Sequence, residues 1–102
     1  MKLAGIAINP KTDISALNYV INMADVVHVM TVHPGDYGGK FLPEVASKIV
    51  NIRVKRPLLP ISVDGGINPE NSKILIDAGA TVLIVGSYIL NDSNPKEAYE
   101  RF

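Results

Sequence analysis

Pro60-Ile61-Ser62-Val63-Asp64-Gly65-Gly66-Ile67-Asn68-Pro69-Glu70-Asn71 holds a strand, a turn and the start of a helix in one short stretch. The run Pro60 to Asp64 is rich in β-branched residues and ends on a carboxylate, and Gly65-Gly66 closes it. Asn68 reads as a helix N-cap, Pro69 occupies the first turn, and Gly79 supplies the stop. A buried strand passing through a tight turn into a helix is the repeating unit of parallel α/β proteins.

The unit recurs on both sides. Strand-like runs cover Leu3 to Asn9, closed by Pro10; Val26 to Val32, closed by His33-Pro34-Gly35; and Thr81 to Val85, closed by Gly86. None alternates polar with apolar residues, as expected of strands buried on both faces. Between them, Ile14, Leu17, Val20 and Ile21 share one helical face, and so do Leu42, Val45, Ala46 and Ile49. A last helix is expected from Asn94-Pro95 to the C-terminus. The order βαβαβαβα predicts a parallel sheet with right-handed crossovers, in a single domain over residues 1–102. A complete eight-stranded barrel takes about 250 residues. Four strands give either half of such a barrel or an open doubly wound sheet, and a half barrel exposes two strand edges that favour association.

Composition excludes several classes. Ten Lys and Arg balance ten Asp and Glu, so neither nucleic acid nor a membrane surface is an expected partner. Arg53, Lys55 and Arg56 read as a solvated helix end. The absence of cysteine rules out disulfides and thiolate metal sites. The segment from Met1 to Ile6 has no signal-peptide character and no apolar run reaches 18 residues, which gives a cytoplasmic protein as the expectation.

In parallel α/β folds ligands sit at the carboxyl ends of strands. Here those ends carry Asn9, Thr31 and His33, then Gly35-Asp36-Tyr37-Gly38-Gly39, Asp64-Gly65-Gly66 and Gly86-Ser87. Three glycine-bearing turns on one rim offer many backbone N–H groups to one anion, which points to phosphate. Asp64 is either an acid/base or metal ligand, or a turn residue accepting from the amides of Gly66 and Ile67. Period-two geometry sends His28 and His33 to opposite faces of a regular strand. His28 therefore reads as a hydrogen-bonded packing residue, and His33, nearer the rim, as a candidate substrate contact. Met30 reads as core filler from its type alone.

The segments Gly5-Ile6-Ala7-Ile8-Asn9-Pro10, Val29-Met30-Thr31-Val32-His33-Pro34-Gly35, Lys40-Phe41-Leu42-Pro43-Glu44-Val45, Val63-Asp64-Gly65-Gly66-Ile67-Asn68 and Val85-Gly86-Ser87 resemble the ribulose-phosphate 3-epimerase family, in order and across essentially the whole chain. The resemblance implies the C-terminal half of a TIM (β/α)8 barrel. It further implies metal-assisted proton transfer between D-ribulose 5-phosphate and D-xylulose 5-phosphate. By the same resemblance Asp64 is one of two acid/base aspartates and a metal ligand, and Met30 lines the pocket beside the intermediate. Gly35, Asp36, Tyr37, Gly38, Gly39, Gly65, Gly66, Gly86 and Ser87 then bind substrate and its phosphate.

Two departures qualify the transfer. The loop His33-Pro34-Gly35-Asp36-Tyr37-Gly38-Gly39 stands where the family more commonly has Asn-Pro-Gly-Phe-Gly-Gly. The family's first half carries the other aspartate, both metal-binding histidines and a substrate serine, and none of that half is in this chain. The expectation is a half barrel with little activity alone, which does not hold the family's divalent metal (Zn, Fe or Mn) tightly. Its partners are then a pentose phosphate, phosphate or sulfate, and either a second copy or a complementing N-terminal half. A non-catalytic phosphate-binding or oligomerising half-barrel module is the main alternative. A related sugar-phosphate aldolase or decarboxylase is a third reading.

Overall fold

The computed structural model describes residues 2–32 and 40–102. Strands β1 (Gly5–Ile8), β2 (Val26–Met30), β3 (Ile61–Asp64) and β4 (Val82–Ile84) lie within the four expected runs. They form one parallel sheet in the order β1-β2-β3-β4. That order separates the two architectures left open by the sequence. A doubly wound sheet reverses direction and carries helices on both faces. Here each crossover steps the same way, so the connecting helices fall on one side. The fold is α/β, half of a TIM barrel with four βα units.

Strand register sorts the residues into two faces. Ile6, Ile8, Val27, Val29, Ile61, Val63 and Leu83 point toward the helices. They pack with Val45, Ile49 and Ile52 of α1 (Val45–Lys55) and Leu75 of α2 (Pro69–Ala78). Burying a side chain such as Ile49 contributes about 1.5–3 kcal/mol, so this layer carries most of the stability. The opposite face bears Gly5, Ala7, Val26, His28, Met30, Ser62, Asp64, Val82 and Ile84. The expectation of strands buried on both faces fails on this side, where Ala7, Val82 and Ile84 are exposed. In a closed barrel the remaining strands would cover this face.

The clearest local agreement is at α2. Asn68 accepts from the Asn71 amide at 2.8 Å while Asn71 Oδ1 accepts from the Asn68 amide at 2.9 Å, a reciprocal capping box. The helix ends at Gly79, whose φ of 128° is costly for any residue with a Cβ.

The first helical stripe behaves differently. Ile14–Leu17 forms a single 3₁₀ turn capped by Asp13, and turns continue to Met23. Asn18, Tyr19, Val20 and Asn22 are weak helix formers, so i→i+3 bonds prevail over a regular α-helix. The Asp13 carboxyl is held below its usual range chiefly by the Ser15 amide.

The helix expected from Asn94-Pro95 is present, and a further one precedes it. A short helix α3 (Ser87–Leu90), not expected from the sequence, precedes α4 (Pro95–Glu100), which is capped by Asn94. Arg101 joins them by bonding Tyr88 and Asp92, contacts that raise its already high pKa further. Asp92 is lowered in turn, first by the Asn94 amide and then by Arg101.

The basic cluster is also more than a solvated helix end. Arg53 donates to the carbonyls of Arg56 at 3.0 Å and Gly79 at 2.6 Å, and Arg56 donates to the carbonyl of Ile21. Lys55 donates to Asn18 Oδ1 at 2.7 Å. Guanidinium groups thus satisfy carbonyls at chain turns and stitch α1 to its neighbours on both sides.

Candidate functional site

Asp64 is the last residue of β3 and lies on the face away from the helices. Its side chain is 40% exposed. Among the described residues it accepts no hydrogen bond from Gly66 or Ile67, which removes the turn-forming reading left open by the sequence. The turn is built by other groups. The Thr31 amide donates to the Asp64 carbonyl at 2.8 Å, and the fully buried Thr31 hydroxyl donates to the carbonyls of Asp64 and Gly65. Asn71 Nδ2 holds the Gly66 carbonyl at 2.7 Å. Gly65 and Gly66 adopt φ values of 123° and 64°, which lets the chain reverse without enlisting the Asp64 carboxylate.

This geometry makes Gly65 irreplaceable for the turn. A Cβ there would meet Val32 Cγ2 at 2.8 Å and Thr31 Oγ1 at 3.0 Å, in a backbone region that other residues avoid. Gly65→Ala is expected to lower stability by about 1–3 kcal/mol, measurable as a drop in the urea midpoint with unchanged slope. A variant as stable as the parent would show that the turn is not held this way.

Register brings further residues to the same place. Met30 of β2 and Ile84 of β4 are the lateral partners of Asp64, so Met30 flanks it on the open face, half-buried. Gly86 and Ser87 come one residue after Ile84, past Val85, at the end of the strand adjacent to Asp64-Gly65-Gly66. The backbone N–H groups of Gly65, Gly66 and Gly86 donate to no described residue. Gly35, Asp36, Tyr37, Gly38, Gly39 and His33 lie outside the described residues. Asn9 is committed to its own turn, accepting the Lys11 amide at 2.9 Å.

His28 makes a hydrogen bond, as expected of it, but on the open face of the sheet rather than within the core. It lies on the open face of β2, one register step below Asp64, with 31% of its side chain exposed. Its Nδ1 is 2.8 Å from Ser62 Oγ and its Nε2 is 3.6 Å from Asp64 Oδ2. Sequence reasoning missed this because the neighbours come from another strand, with no local signal in either. Among the described residues no cluster of three or more His, Cys, Asp or Glu could hold a metal ion.

A family model described as the ribulose-phosphate 3 epimerase family matches residues 2–90. The chain is 41% identical over 101 residues to ribulose-phosphate 3-epimerase of Synechocystis, covering 95% of this chain and 44% of that protein. It is 39% identical over 101 residues to the Bacillus subtilis ribulose-phosphate 3-epimerase, covering 93% of this chain and 46% of that one. The chloroplastic ribulose-5-phosphate-3-epimerase of Arabidopsis thaliana is 38% identical over 99 residues, of which 93% of this chain and 35% of the relative are covered. The chain thus spans less than half the length of these relatives.

Among solved structures, a 3-hexulose-6-phosphate synthase superposes with a TM-score of 0.52 at 18% identity, over 95% of this chain and 59% of that one. The Salmonella typhimurium RcsB response regulator gives 0.53 at 18% identity, over 82% and 52%. At that identity the likeness is one of fold.

Proposed function

This chain belongs to the ribulose-phosphate 3-epimerase family, and from that premise we propose that it is the C-terminal half of a barrel that interconverts D-ribulose 5-phosphate and D-xylulose 5-phosphate. The supporting observation is the Asp64 carboxylate, open at the strand end and unbonded to the turn that follows it. In this reading Asp64 takes or returns the proton on one face of the carbon beside the substrate carbonyl, and a group from the other half of the barrel serves the other face. Gly65, Gly66, Gly86 and Ser87 offer backbone amides to the phosphate, together with Gly35, Asp36, Tyr37, Gly38 and Gly39. Met30 provides the apolar wall next to the reacting carbon.

A divalent cation suits this donor set, because an exposed carboxylate without competing hydrogen bonds is a hard oxygen ligand. Held by Asp64, it would supply positive charge for the enediolate oxygens. One chain offers one half of the acid/base pair, so the isolated protein is expected to turn over little substrate.

The open face and the two edges, β1 and β4, set the partner. Beside β4 an apolar groove lined by Leu83, Val85, Ile89, Tyr99 and Phe102 opens on the helix side. A second copy or a complementing N-terminal half would pair both edges and cover these surfaces. No helix among the described residues is long and apolar enough to cross a membrane, and a cytoplasmic location is part of the proposal.

Mixing the chain with a polypeptide that supplies the other four βα units, with Mn2+ and D-ribulose 5-phosphate, tests the reading. Epimerisation is expected to rise at least about 100-fold over either part alone, the contribution of one well-placed acid/base group. Assembly by light scattering without any rise would overturn the catalytic reading in favour of a non-catalytic associating module. No assembly at all would overturn both.

A further inference from the structure

We infer that His28 is a second ligand at Asp64, so that this half barrel carries by itself a nitrogen–oxygen clip for a borderline divalent cation such as Zn2+ or Co2+. The inference rests on the reading of Asp64 as a metal ligand and adds a donor that the family resemblance does not supply.

Distance carries the argument first. His28 Nε2 and Asp64 Oδ2 face each other at 3.6 Å. That is too long for a hydrogen bond. Zinc bonds to imidazole nitrogen at about 2.0–2.1 Å and to carboxylate oxygen at about 2.0–2.2 Å, and a tetrahedral angle between them separates the donors by roughly 3.3–3.5 Å. The observed pair needs to close by only a few tenths of an ångström.

The far side of the ring is also prepared. A ligating histidine usually engages its other ring nitrogen with an outer partner that fixes the tautomer. His28 Nδ1 has that partner in Ser62 Oγ at 2.8 Å, and Ser62 is only 7% exposed. A serine hydroxyl both donates and accepts, so Nδ1 can carry the proton without losing the bond, leaving the Nε2 lone pair for the cation. The Nε2 side is thus left without a hydrogen bond and faces the Asp64 carboxylate. With no third protein ligand among the described residues, the remaining positions fall to water or substrate oxygens, and the clip binds more weakly than a three-ligand site.

The test uses the intact chain and the metal alone. Zn2+ is titrated into protein labelled with 15N, following the His28 ring nitrogens and the Gly65 amide. Co2+ added to unlabelled protein is followed by visible absorption. The expected result is a metal-induced shift of His28 Nε2 together with the Gly65 amide. His28→Gln should weaken Co2+ binding at least about tenfold, and Ser62→Ala by about tenfold or more. His28→Leu, which keeps an apolar filler, should show the same loss if His28→Gln proves unstable. Asp64→Asn should remove both shifts, and His33→Gln neither.

If Zn2+ moves the Gly65 amide while the His28 ring stays silent, the inference falls and the reading of Asp64 stands. If neither signal moves, His28 and Asp64 fail together as ligands in this chain. If His33→Gln abolishes binding and His28→Gln does not, the inference falls.

Discussion

Asp64→Asn in the completed barrel is expected to lower turnover by roughly 10²–10⁴-fold, with KM changed far less. The substitution keeps the size of the side chain but removes its ability to accept a proton. Its selectivity follows from the turn: Thr31 and Asn71 hold the backbone, and the carboxylate takes no part in it. The thermal midpoint should therefore remain within a few degrees of the parent, because the one charged neighbour of the carboxylate is His28 at 3.6 Å, and a partly exposed pair of this kind contributes about 1 kcal/mol or less. Steady-state kinetics and a thermal melt on the same preparation check both halves. A variant that loses its fold but retains activity per folded molecule would contradict the assigned role.

Ile49→Ala is the substitution expected to cost most in stability. Ile49 is wholly inaccessible and sits with Val45 and Ile52 on the face of α1 turned to the sheet. Truncating such a residue costs about 2–5 kcal/mol, through lost burial and the cavity left behind. Domains of this size hold about 5–15 kcal/mol in total, so the thermal midpoint should fall by roughly 10 °C or more. Val54→Ala on the same helix, 76% exposed, is the matched control and should shift stability by no more than about 0.5 kcal/mol. Equal effects at the two positions would mean that α1 does not lie on the sheet as described.

Much of this was readable from local sequence signals. Runs of β-branched residues ending at glycine marked the strands, and Asn68, Pro69 and Gly79 marked α2, because caps and turns act over a few residues. What escaped depends on pairing between distant segments. His28 meets Ser62 and Asp64 only because β2 and β3 align in a given register. Arg53 reaches Gly79, and Arg56 reaches Ile21, across stretches that no periodicity connects. The stripe at Ile14, Leu17, Val20 and Ile21 had helical spacing but lacked residues that sustain a helix, so pattern and propensity disagreed. The choice between a half barrel and a doubly wound sheet also needed strand order, since both share the same succession of elements.

That strand order would have a further outcome in solution if copies associate as proposed. The row of free backbone groups on β1 matches the row on β4 in direction, so one molecule's first strand fits another's last. Head-to-tail addition that closes after two copies stops there; addition that misses closure continues and builds a filament. Dilution, and residues that curve or block either end strand, would then decide between discrete particles and polymers.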